Sequence, residues 1–185
     1  GWILTNARSD IGHEEGALHV RNTDRLFIDM AELDRYHGCP YQASIDIFVL
    51  DNVPDSPDEC ELQRAMVTIA IDCAMSIHIN DMYSDLESDQ ANMIMRFEQA
   101  CGIDMRRDIP IKPQLLKLLD QVSAMYYDVE TKNVANMLFF CTNPKRVIPR
   151  TCYEEIVYLN FEGLSLPAPA GYDEVLVSQY GSNYM

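Results

Sequence analysis

Basic residues are scarce in this sequence: 14 Lys and Arg stand against 29 Asp and Glu, a formal net charge of −15. Such a surface repels phosphate backbones, and the nearest basic neighbours, Arg106-Arg107 and Lys145-Arg146, build no patch. The expectation is no nucleic-acid partner and no polybasic membrane anchor. No run of about 18 apolar residues is present, so no transmembrane segment is expected. No basic stretch followed by an apolar one opens the chain, so no secretory signal is expected either. Phosphate-cradling loops of the G-x-G-x-x-G or G-x-x-x-x-G-K-[ST] type are missing, as is a G-x-S-x-G nucleophile elbow. The 6 cysteines, at positions 39, 60, 73, 101, 141 and 152, include no C-x-x-C and no close pair. Several lie in apolar patterns, where Cys serves as a small hydrophobe. Free thiols in a reducing, cytoplasmic setting are expected.

What is present is the composition of an ordinary globular protein. Hydrophobic residues make up 48% and charged residues 23% of 185. A chain of this length can bury roughly 70% of its unfolded surface, enough for one full core. A single domain over 1–185 is expected, in three stretches. Residues 1–55 read as strands and turns, with a hairpin pairing 17–21 with 25–28 around Asn22-Thr23-Asp24. Residues 42–50 give the strongest strand, and the continuous run Ile45-Asp46-Ile47-Phe48-Val49-Leu50 predicts burial on both faces.

Residues 56–128 read as three helices. The first opens on Ser56-Pro57-Asp58-Glu59, a capping-box pattern with Pro at the first helical position. Its stripe is Leu62, Ala65, Met66, Ile69, Ala70, Cys73 and Ile77, with Val67, Ile71 and Met75 as a second apolar flank. The second, over about 85–101, carries Leu86, Met93, Ile94, Phe97 and Cys101, with Gly102 as its stop. The third starts at Pro113 and carries Leu115, Leu118, Leu119, Val122 and Tyr126. Residues 129–185 return to mixed structure. In that stretch 136–141 is expected as a buried strand and 154–161 as a helix end or strand. Pro167, Pro169 and Gly171 make a fixed loop, and a short helix spans about 172–180.

Asp46 is the most unusual residue. A carboxylate inside a run that asks for burial costs several kcal/mol unless it is paired, hydrogen-bonded or on a metal. It reads either as a strand-edge Asp facing solvent or as a metal-coordinating carboxylate at the end of a core strand. Mg²⁺ suits the second reading, because that ion takes one or two carboxylates plus substrate phosphates. Asp51, at the strand exit, reads as a turn residue before Asn52. The histidines are His13, His19, His37 and His78. His37-x-Cys39 with Cys60, Cys73 and His78 matches none of the usual zinc spacings, which place ligand pairs two to four apart.

The stretch Ser44-Ile45-Asp46-Ile47-Phe48-Val49-Leu50-Asp51-Asn52-Val53-Pro54 resembles the "IDIFPLD-x-x-P" segment of the LicD family of phosphotransferases. Tyr153-Glu154-Glu155, Leu159-Asn160-Phe161-Glu162-Gly163-Leu164, Pro167, Pro169, Gly171-Tyr172-Asp173, Leu176 and Tyr180-Gly181 resemble that family's closing "FEG … P … YD … L … YG" pattern. The helices between these two stretches match only by type.

The resemblance implies an α+β, nucleotidyltransferase-like fold: a mixed sheet with packed helices, and a partial sheet at the N-terminus. It implies transfer of a phospho-substituted group such as phosphocholine from a nucleotide-linked donor to a cell-surface glycan, such as lipopolysaccharide or teichoic acid. The location implied is cytoplasmic or peripheral to the inner face of the membrane. Such a site uses a D-x-D on one strand and a third carboxylate on a neighbour, holding divalent metal against the donor phosphates. Asp46 sits where that third carboxylate would sit, which makes it the candidate catalytic and Mg²⁺-side residue. The family's D-D-D-I-D stretch and preceding Gly-Ser loop are not in this sequence, so the chain resembles a C-terminal portion, one part of a split domain, or a member that has lost its catalytic half, and it is expected to be inactive alone. The alternative is a non-catalytic binding or scaffold domain that keeps the nucleotidyltransferase-like fold. An unrelated acidic α+β interaction domain is a further reading, which a solvent-exposed Asp46 on an outer strand would support.

Overall fold

The core is built where the helical periodicity is strongest. The structure, a computed structural model, describes residues 2–6, 17–22 and 44–184. Helix α1 (Pro57–Met75), α2 (Ser88–Cys101) and α3 (Ile111–Ser123) enclose one apolar cluster, with Val67, Cys73, Ile94, Phe97, Leu115 and Leu119 at its centre. α1 lies along α3 and also contacts α2. Around them the described strands pair antiparallel throughout, in three small sheets. The first joins β1 (Trp2–Thr5), β2 (Leu18–Asn22) and β3 (Ser44–Ile47), with β3 at an edge. The second joins β4 (Asp51–Val53), β5 (Asn133–Ala135) and β6 (Ile148–Pro149), and it supplies Val53 and Ala135 to the core. The third is a hairpin of β7 (Ile156–Phe161) and β8 (Leu164–Pro169). A one-turn helix α4 (Met137–Phe140) and a terminal helix α5 (Tyr172–Tyr180) complete the chain. The architecture is α+β, with separate small sheets where the resemblance implies one mixed sheet.

Local chemistry sets most helix ends. Pro57 opens α1 as expected, but the Ser56 side chain makes no capping bond. At the start of α2, Gln90 Oε1 accepts from the Glu87 backbone N–H at 2.8 Å, the return bond of a capping box. It stops at Gly102, whose φ of 64° needs the left-handed region that glycine occupies freely. α3 begins two residues before Pro113, which the first turn tolerates because no N–H there has a helical partner, so the one proline lacks is not missed.

Four expectations are corrected. Residues 44–50 are not buried on both faces: Ile45 is 61% exposed, and Ile47, Phe48 and Val49 are exposed too. Only 44–47 of the run belong to the first sheet; 48–50 lie in no strand, and the chain enters the second sheet at Asp51. The helices pack on that second sheet, leaving β3 as an outer edge. The buried side of α1 is Gln63, Val67, Ala70, Cys73 and Ala74, so the inner face takes Ala70 and Cys73 from the expected stripe and Val67 from the second flank, while Leu62, Ile69 and Met75 face outward. Residues 136–141 form α4 rather than a strand, because Asn136 Oδ1 accepts from Phe139 N–H at 3.3 Å and caps a helical turn. Pro167 and Pro169 lie inside β8. Two residues apart, they share one phase of the ladder, and an edge strand needs no outward N–H. The expected strand at 25–28, His13, His37 and Cys39 lie outside the described residues.

A set of buried polar groups joins the second sheet to the helices. Gln63, fully buried, donates through Nε2 to the Asn52 and Ser123 carbonyls at 3.1 and 2.9 Å. Asn52 Nδ2 donates to the Tyr126 and Val129 carbonyls, both at 2.8 Å, and Asn52 Oδ1 accepts from Arg150 Nη2 at 2.6 Å. Arg150 also donates through Nε to the Thr131 carbonyl at 2.8 Å. At the far end Gly171 seats α5 against the turn at 150–153: its N–H donates to the Cys152 carbonyl at 3.1 Å.

Gly171 is required there by proximity. A Cβ added to it would lie 2.6 Å from both Cα and Cβ of Cys152 and 2.9 Å from its Sγ. Gly171→Ala is expected to destabilise the fold by about 1–3 kcal/mol, the usual range for overpacking. Thermal unfolding checks this through a midpoint lowered by roughly 2–4 °C per kcal/mol for a chain of this size. An unchanged midpoint would mean that α5 does not seat on Cys152.

Candidate functional site

Asp46 sits in β3, directly opposite His19 of β2, which is in turn opposite Thr5 of β1. The alternation of strand side chains puts the three on one face of the sheet. His19 Nδ1 and Asp46 Oδ1 are 2.8 Å apart, and the two side chains differ sharply in exposure, 6% for His19 and 51% for Asp46. Thr5 Oγ1 donates to the His19 carbonyl at 3.4 Å. The opposite face carries Trp2, Leu4, Val20, Ile45 and Ile47, most of them exposed. The structure thus gives Asp46 a buried histidine partner at an accessible sheet edge rather than a place within a core strand.

Asp51 is not a plain turn residue. It opens β4, half-buried, and burial together with the neighbouring carboxylate of Asp120 on α3 raises its pKa from 3.8 to about 6. Asp46 and Asp51 belong to different sheets. No three His, Cys, Asp or Glu side chains among the described residues gather into a group that could hold a metal ion. Asp46 offers Mg²⁺ the hard oxygen it favours, but one carboxylate is too few, so the described residues do not by themselves make a Mg²⁺ site.

The zinc reading gains no support from its described members. Cys73 is fully buried in the core, where burial pushes its thiol up to about 11. His78 lies in an exposed turn, its backbone N–H donating to Asp81 Oδ2 at 3.0 Å. The described cysteines Cys60, Cys73, Cys101, Cys141 and Cys152 are unpaired, and burial raises each thiol, which disfavours a nucleophilic thiolate.

A second charged group lies at the α2 end. Glu98 is held by Arg107 through two bonds of 2.8 and 2.7 Å, and its Oε1 also accepts the Met105 N–H at 2.6 Å. Arg107 and then burial act in opposite directions on Glu98, and the net result is a lowered pKa. The guanidinium also stacks 3.8 Å from the Tyr83 ring centroid. This clamp borders an open groove of about 580 Å³ that includes Met95, Gln99 and Ile103, and Asp46 is not part of its lining. The clamp fixes the loop after Gly102 onto α2. No sequence signal marked it, because Glu98 and Arg107 look like ordinary surface charges.

Comparison with family models, with curated proteins and with solved structures finds no match to this chain. No helix among the described residues is long and apolar enough to cross a membrane.

The Asp51 environment has a pH consequence. Its folded pKa lies above the unfolded value, so the native state binds the extra proton, and stability falls as pH rises from about 4 through 6. Asp51→Asn is therefore expected to be more stable than the parent at pH 7, with the difference closing below about pH 4. Urea midpoints of both proteins across that range test this. A constant difference at every pH would show that Asp51 is not strained by its surroundings.

Proposed function

We propose that this chain is part of a LicD-like phosphotransferase with a nucleotidyltransferase-like fold, which moves a group such as phosphocholine from a nucleotide-linked donor to a cell-surface glycan. The single observation that carries the reading is that its two matching stretches, distant in sequence, are packed together. Leu50 of the first shares a small cavity with Ser178 and Gln179 of α5 in the second. Asn52 of the first bonds Arg150, three residues before the second begins at Tyr153.

In this reading Asp46 is the third carboxylate of the site, presented at a sheet edge beside the strand that would carry the D-x-D. Only together with the carboxylates of a D-x-D would Asp46 hold Mg²⁺, which would there supply the counter-charge of the donor phosphates. Phosphoryl transfer rests largely on positioning and electrostatic stabilisation, which fits a site made of carboxylates rather than of a nucleophile. With one such carboxylate, this chain by itself is expected to be inactive. The half-exposure of Asp46 on an edge strand, with Trp2, Leu4 and Ile45 exposed on the other face of the same sheet, favours readings without turnover: an unrelated acidic α+β interaction domain first, and within the family a non-catalytic binding or scaffold domain.

The test is release of CMP from CDP-choline. The 185-residue chain alone is expected to release none. A full-length polypeptide containing this chain and a D-x-D strand is expected to turn over. Asp46→Asn should lower that rate about a hundredfold or more, about 2.7 kcal/mol of transition-state stabilisation. Normal transfer by Asp46→Asn would remove Asp46 from the site. No transfer by the parent polypeptide with any nucleotide-linked donor would leave the scaffold reading in its place.

A further inference from the structure

We propose that His19 is the positioning residue of Asp46, an inference that rests on the phosphotransferase reading. An exposed aspartate on a strand edge ordinarily moves among several rotamers. Asp46 does not have that freedom, because His19 Nδ1 lies 2.8 Å from its Oδ1, a hydrogen bond in the tautomer that carries its proton on Nδ1. The imidazole is itself held: its side chain is almost completely buried, and it sits in the middle strand of the sheet. The two residues are direct partners in the β2–β3 register, so their separation is set by the backbone ladder rather than by a loop. Thr5 tightens the same row through its bond to the His19 carbonyl.

The consequence is an asymmetry between the two carboxylate oxygens. Oδ1 is occupied by the imidazole, that bond leaves Oδ2 unused, and the side chain as a whole is half-exposed. One oxygen is anchored and the other is left for a ligand. A carboxylate held in this way by a histidine loses less freedom when it engages a ligand, and outer partners of this kind are commonly worth 10–100-fold in affinity or activity.

The experiment has two arms. In the 185-residue chain, long-range ¹H–¹⁵N spectra of the histidine rings should show His19 protonated at Nδ1, with that signal shifting in Asp46→Asn. No shift would overturn the inference at its geometric base. In the full-length polypeptide, His19→Ala should lower kcat for CMP release about 10–100-fold with a smaller change in KM. His19→Asn, whose amide nitrogen can stand in for Nδ1, should recover most of that loss, and His19→Gln, whose amide reaches the Nε2 position, should not. If His19→Ala fails to fold, the Asn and Gln pair still decides: equal rates overturn the positioning role. If Asp46→Asn is inactive while His19→Ala is as fast as the parent, the positioning role is wrong and the phosphotransferase reading stands. If Asp46→Asn also turns over normally, the phosphotransferase reading fails, and the role of His19 in it fails too.

Discussion

The bond between Asn52 and Arg150 is the contact on which the second sheet and its attachments depend. Asn52 has two donor hydrogens and one carbonyl to satisfy, and each is used: Nδ2 by the 126 and 129 carbonyls, Oδ1 by the guanidinium. Arg150 in turn binds the Thr131 carbonyl and hydroxyl. Gln63 reaches the same strand from inside α1 and extends the linkage to the end of α3. Partly buried polar groups are costly when unpaired and informative when paired, since they admit one arrangement and penalise its neighbours. Here that arrangement fixes where β4 leaves the apolar run 44–50, and so where Asp46 ends and the core begins.

The rest of the molecule divides according to how much apolar surface that core absorbs. Helices α1, α2 and α3 with β4 and β5 are enclosed, and their interior is ordinary close packing. The first sheet and the β7–β8 hairpin are not absorbed. Along the hairpin one face is apolar throughout, Val157, Leu159 and Phe161 opposite Ala168, Leu166 and Leu164, and its exposure grows toward the tip. The strip 48–50, which leads from the first sheet to the second, is joined to α4 through the Phe48–Phe139 ring contact at 5.4 Å and the bond from Asn136 Nδ2 to the Val49 carbonyl. The candidate site therefore stands at the junction of the enclosed core and an exposed sheet.

Sequence patterns revealed elements that form locally and missed those set by distant partners. The stripe of α3, the glycine stop of α2 and the span of α5 follow from spacing and backbone preference within a few residues. The inner face of α1 was ambiguous because three of its sides are apolar, and the deciding contact, Gln63, is polar and reads as surface. An apolar run such as 136–141 suits strand and helix alike, and only the capping bond of Asn136 decides. The exposure of Ile45 and Ile47 could not be read at all, since it depends on which sheet the helices choose to cover. Asp46 stood out as a carboxylate among β-branched residues, but its partner did not: pairing it with His19 requires the register of two strands far apart in the chain. Asp51 was taken for turn chemistry because the facing carboxylate lies on α3.

The claim that Asn52 and Arg150 couple the first motif stretch to the segment leading into the second is tested most directly by a double-mutant cycle. Asn52→Ala, Arg150→Ala and the double variant would be compared by urea unfolding of the 185-residue chain. The account predicts a coupling energy of about 1–3 kcal/mol, as for a charge-assisted bond between partly buried groups. Single effects that add to within about 0.5 kcal/mol would contradict it.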